Sequence, residues 1–107
     1  MSLLKKCLFL LCLVLPLNLV AQNDWQQLYD QAKALSYSNP DQSISLLEQA
    51  IPLAVQELGE GSEPYANLIN DLGLAYWVKG ETSKAQTLFE ESLSLKKEIY
   101  GEDGPDY

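Results

Sequence analysis

The sequence repeats itself at a spacing of 42 residues: Leu46-Leu47-Glu48 returns as Leu88-Phe89-Glu90, Ile51 as Leu93, Leu58-Gly59-Glu60 as Tyr100-Gly101-Glu102, and Tyr65 as Tyr107. A fixed period of this length means a small structural unit that cannot bury its apolar side alone and does so by stacking on its neighbour. Few folds satisfy that constraint. The first apolar segment, from Trp25 toward Leu35, fits the register less well, needing about two extra residues in its turn, so the first copy is expected to be irregular.

From Asp24 onward the apolar residues recur at three- and four-residue steps, the spacing of one helix face and not the alternation of a strand. The pattern predicts four helices. The first places Trp25, Leu28, Tyr29, Ala32 and Leu35 on one face and ends in the turn Ser36-Tyr37-Ser38-Asn39. The second opens at Asn39-Pro40, where asparagine is a good N-cap acceptor, proline suits the first helical position, and Gln42 is spaced to complete a capping box. It carries Ile44, Leu47, Ala50, Ile51, Ala54, Val55 and Leu58 as far as Gly59-Glu60-Gly61. Pro52 removes the amide that would bond the Glu48 carbonyl, which predicts a kink and not a break, because the apolar spacing continues beyond it. The third helix opens at Ser62, with Pro64 in its first turn, and has the inner face Leu68, Ile69, Leu72, Gly73, Tyr76 and Trp77 before closing at Lys79-Gly80. The fourth runs from about Thr82 through Ala85, Leu88, Phe89, Leu93, Leu95 and Ile99 to Gly101.

Ahead of this region, Lys5 and Lys6 precede an unbroken apolar run from Cys7 to Leu15 that stops at Pro16, and Leu19-Val20-Ala21 ends on a small residue. Residues 1–21 therefore read as a signal peptide cleaved before Gln22. Pro16 and Asn18 interrupt the run short of the ~20 residues a spanning helix needs, so membrane contact is expected only through an uncleaved leader. Export to a periplasmic or secreted location follows, and the lysine-led leader suits a bacterial envelope. Both cysteines, Cys7 and Cys12, leave with the leader, and the chain has no histidine. The commonest general base, metal ligand and nucleophile are all missing from the mature chain. Glu90-Glu91 and Glu102-Asp103 diverge as helix neighbours and do not converge on a metal, and Ser83 and Ser92 have no base to activate them. No catalytic residue, metal or cofactor is expected. All seven cations are lysines; without the leader five remain against fifteen acids, a net charge near −10 that argues against nucleic acid as a partner.

The run Asn70-Asp71-Leu72-Gly73-Leu74-Ala75-Tyr76, followed by Gly80-Glu81, Lys84-Ala85 and Leu88-Phe89-Glu90-Glu91-Ser92-Leu93, resembles the tetratricopeptide repeat. The longer period, with its linker Tyr100-Gly101-Glu102-Asp103-Gly104-Pro105-Asp106-Tyr107, is similar to the kinesin-light-chain-like variety. The departures are Tyr29, where a small residue is usual, and Ser92, where alanine is. The resemblance implies an all-α fold of two antiparallel helix-turn-helix repeats in a short right-handed solenoid: residues 22–61 the first, irregular copy, 62–101 the second, and 102–107 a linker or the start of a third. It also implies a concave groove, lined by the first helix of each repeat, that binds a protein or peptide segment.

Within that frame Asn67, Asn70, Leu74 and Trp77 fall on the groove side of the third helix, and Gln26, Asp30 and Lys33 on that of the first. The Asn70 carboxamide, a donor and an acceptor together, either clasps a peptide backbone or is simply solvated. Trp77 either anchors a partner or packs in the core. The last helix keeps an apolar face that includes Leu88, Leu95 and Ile99, which two repeats cover only in part, so self-association or docking of further repeats is expected there. The functional expectation is an exported interaction scaffold. The alternative is the recruiting amino-terminal part of a longer enzyme, a CHAT-type protease or a histidine kinase, as the resemblance to exported repeat arrays allows.

Overall fold

The computed structural model describes residues 24–101; the expected leader and the 102–107 linker lie outside the described residues. Four helices follow one another: α1 Trp25–Leu35, α2 Pro40–Leu58, α3 Glu63–Lys79 and α4 Thr82–Tyr100. Each packs on the next through a turn of a few residues, and among the described residues there is no strand. The result is an all-α helical-repeat solenoid.

The helix starts are set locally. Asp24 accepts from the Gln26 amide at 2.9 Å, and Ser62 accepts from the Tyr65 amide at 3.3 Å while its own hydroxyl donates to the Gly59 carbonyl. These bonds occupy backbone donors that have no intrahelical partner. Asn39 caps α2 by accepting from the Gln42 amide, but the capping box is altered. Gln42 Oε1 takes its hydrogen bond from the Asn39 side-chain amide, because the Asn39 backbone amide is already committed to the Leu35 carbonyl at 2.8 Å. Pro52 lies inside α2 on an exposed position, and the helix continues past it to Leu58. The helix ends carry the clearest trace of the repeat: Gly59 and Gly101, 42 residues apart, adopt φ 89° ψ 165° and φ 84° ψ 168°, a backbone region that residues with a Cβ rarely enter.

The core is a line of small residues between larger ones. Ala32, Ala50, Ala54, Ala66 and Ala75 are fully buried, and Leu47 and Leu68 fill the space between them. The tightest approach is at Gly73 in α3, where a Cβ would come within 2.9 Å of two ring carbons of Phe89 and 3.2 Å of the Leu88 Cβ on α4. Two buried serines key the hairpins. Ser43 on α2 donates to the Ala32 carbonyl at 2.8 Å, and Ser92 on α4 donates to the Ala66 carbonyl at 2.8 Å. Ser92 thus replaces the usual alanine at no cost in unpaired polar atoms, since a buried hydroxyl is tolerated once it is bonded.

Two apolar residues depart from expectation. Leu58, in the last turn of α2, is exposed. On α4, Leu88, Leu95 and Ile99 are half-buried, as a partly covered face requires, and the residue that departs is Leu93, which is exposed. Replacing Gly73 by alanine gains helix propensity of about 1 kcal/mol but forces the Phe89 ring to move, at about 1–3 kcal/mol. Gly73→Ala is therefore expected to lower the urea midpoint, by a net ~1 kcal/mol in unfolding free energy.

Candidate peptide-binding groove

Antiparallel packing of α1 on α2 and of α2 on α3 makes α1 and α3 parallel neighbours, and one side-chain bond joins them directly. The Tyr29 hydroxyl donates to an Asp71 carboxylate oxygen at 2.5 Å. Tyr29, the residue that departed from the small-residue pattern, therefore bridges the two repeats. Around it Trp25 tilts against the Tyr29 ring with centroids 6.4 Å apart and donates its indole N–H to Glu57 at 3.0 Å, while Lys33 lies 4.5 Å over the Tyr29 ring. The sequence reading missed this bridge; the only signal is that Tyr29 and Asp71 are separated by the 42-residue period.

The bridge orients both candidate stripes. At about 100° per residue, the buried residues of α3, from Leu68 through Leu72 to Gly73, lie on one side of Asp71, and Asn67, Asn70, Leu74 and Trp77 lie on the other. On α1 the buried Trp25 and Ala32 lie on one side of Tyr29, and Gln26, Asp30 and Lys33 lie on the other. Because the helices are parallel and face each other through Tyr29 and Asp71, the two uncovered stripes share a side, away from α2 and α4. Asn67, Asn70 and Leu74 are half-buried on it, whereas Gln26, Asp30 and Lys33 are exposed. Lys33 and Asp30 sit 3.8 Å apart in an exposed pair, of little energetic weight.

Trp77 is not a core residue: it is 54 % exposed. It forms one wall of an apolar cleft of about 330 Å³ with Thr82, Ala85, Gln86, Phe89, Glu90 and Leu93. Trp77 therefore belongs both to the end of the α3 stripe and to the outer side of α4. The neighbouring Tyr76 is buried, bonds Glu48 on α2 at 3.5 Å and carries Lys84 4.7 Å over its ring. On the opposite edge Lys79 pairs with Asp41 at 2.8 Å and Glu81 at 3.6 Å, tying the end of α3 to the start of α2. Among the described residues there is no group of three or more histidine, cysteine, aspartate or glutamate side chains that could hold a metal, and no helix is long and apolar enough to cross a membrane.

Burial, and then the bond to Asp71 and the charge of that carboxylate, hold the Tyr29 hydroxyl well above the ordinary tyrosine pKa of 10.0. A group whose folded pKa is raised supplies stability that is whole below its unfolded pKa, near 10, and is lost as pH rises through the folded value. The chain is expected to lose stability above about pH 10, and Tyr29→Phe to flatten that dependence while lowering stability at neutral pH by ~1 kcal/mol. Urea titrations at pH 7 and pH 11 followed by circular dichroism check both; an alkaline slope unchanged by Tyr29→Phe counts against the bridge.

The tetratricopeptide repeat model matches residues 38–98, from the turn before α2 almost to the end of α4. No curated protein and no solved structure matches the chain. The stacked antiparallel hairpins, the glycine approach at Gly73 and this match agree, and the chain belongs to the tetratricopeptide repeat family.

Proposed function

We propose that the protein is an exported scaffold that binds a peptide or protein segment in the groove between α1 and α3 and carries out no chemistry of its own. Repeats of this family generally mediate protein–protein interaction. The observation that carries the reading here is the shared orientation of the two uncovered stripes about the Tyr29–Asp71 bond. Asn67 and Asn70 offer carboxamides that pair with the amide and carbonyl of an extended backbone, which gives affinity with little dependence on side-chain sequence. Leu74 and Trp77 supply apolar area at one end, and Asp30 with Lys33 gives a neutral polar end.

The kinesin-light-chain-like variety remains our reading of the 42-residue period and its linker, and export rests on the basic, apolar and small-residue segments of the leader. Selection of peptides from a display library against the full chain tests the binding. Asn70→Ala and Trp77→Ala are each expected to weaken selected peptides about tenfold, while Gln27→Ala on the far side of α1 leaves them unchanged. Equal loss in all three variants, or none in the first two, sinks the groove assignment. The intact mass of the protein recovered from its producing cell is expected to begin at Gln22.

A further inference from the structure

The outer side of α4 is unpartnered among the described residues, and the repeat shows what such a side normally meets. Its residues Phe89, Glu90 and Leu93 stand 42 positions after Leu47, Glu48 and Ile51 of α2, which α3 covers: Leu47 is fully buried, and Glu48 receives the Tyr76 hydroxyl. On α4 the cleft walled by Trp77, Ala85, Phe89 and Leu93 stays open instead, with Trp77 54 % and Leu93 40 % exposed. Two substitutions relative to α2 make this side more polar. Gln86 stands where α2 has Ile44, and Lys97 where it has Val55. A helix as apolar as α3 would leave Lys97 without a partner, since Gln86 already donates to Glu90 within α4.

Another copy of the same side meets that requirement. Glu90 and Lys97 are seven residues apart, two turns along one stripe of α4, with Leu93 between them. Two α4 helices placed antiparallel about a two-fold axis near Leu93 and Ser94 bring Glu90 opposite the partner's Lys97, and Lys97 opposite the partner's Glu90. An isologous contact repeats every favourable pair, and the antiparallel helix dipoles add to it. Both charges are available. Glu90 is exposed and held only by the Gln86 side-chain amide at 3.1 Å, and Lys97 makes no ion pair among the described residues. Head-to-tail stacking lacks a matching surface, because the outer side of α1 presents Gln27, Gln31 and Ala34, all exposed and mostly polar.

We infer that the protein forms a two-fold symmetric dimer through antiparallel pairing of α4 with α4 of a second copy, covering Phe89 and Leu93 at the α4 end of the cleft and pairing Glu90 with the partner's Lys97 twice. Sedimentation of the full chain is expected to show a monomer–dimer equilibrium that stops at two. Glu90→Lys and Lys97→Glu, each creating two like-charge contacts, are expected to weaken the dimer about tenfold or more, and the double exchange Glu90→Lys with Lys97→Glu to restore it within about threefold. Leu93→Asp is expected to give a monomer with unchanged helical circular dichroism, which separates lost pairing from lost folding. A wild-type chain that stays monomeric at ~100 µM, assembly that continues past two, or a double exchange that fails to recover overturns the inference. A monomer would mean that something other than a second copy covers this side of α4; loss of peptide binding in Asn70→Ala, which lies away from it, has no bearing on this outcome.

Discussion

The architecture depends on how closely helices can approach where side chains are small. At Gly73 the backbone of α3 lies so near Phe89 and Leu88 that even a methyl group would displace the Phe89 ring. That contact sets where α4 sits. Buried alanines do the same at the neighbouring crossings, from Ala32 in α1 to Ala54 in α2 and Ala85 in α4. Close approach brings dispersion contacts along the whole helix, and it also puts buried serine hydroxyls within reach of a carbonyl on the next helix. Ser43 and Ser92 use that proximity, and their bonds add direction to packing that apolar contact alone leaves free to slide.

Much of this was readable because punctuation and periodicity are local properties. Asn39-Pro40, Ser62 with Pro64, and Gly80 act on their own backbone, so they mark helix boundaries wherever the rest of the chain goes. That Asn67, Asn70, Leu74 and Trp77 share one side of α3 was readable for the same reason, since their spacing puts them on one side of any helix that contains them. What spacing does not reveal is which residue on another helix a side chain will meet. The Tyr29 bond to Asp71, the Trp25 bond to Glu57 and the turn of Trp77 toward α4 depend on how helices are placed, and an aromatic at helical spacing carries the same pattern whether it is buried or open. Gln42 shows the limit at short range as well, since its expected backbone partner was claimed by a turn.

Tyrosine against carboxylate recurs between the helices. Tyr29 reaches Asp71, Tyr76 reaches Glu48, and Tyr100 reaches Glu63, each crossing from one helix to another. A neutral donor can approach an acid without the desolvation that a lysine would suffer, so these bonds suit positions at the margin of the core. They also give a purpose to part of the acidity of a chain that carries fifteen acids against seven lysines. Such acids are acceptors for the fold before they are a surface charge.

Among the described residues, α1 and α3 are joined by one side-chain hydrogen bond, while each packs firmly on α2. The two walls of the proposed groove therefore share a pivot and one side-chain latch. Swinging α1 about α2 changes the width between the walls and the pitch of the solenoid together, and the Tyr29–Asp71 bond has to part for it to begin, while the Ser43 bond to the Ala32 carbonyl holds the pivot.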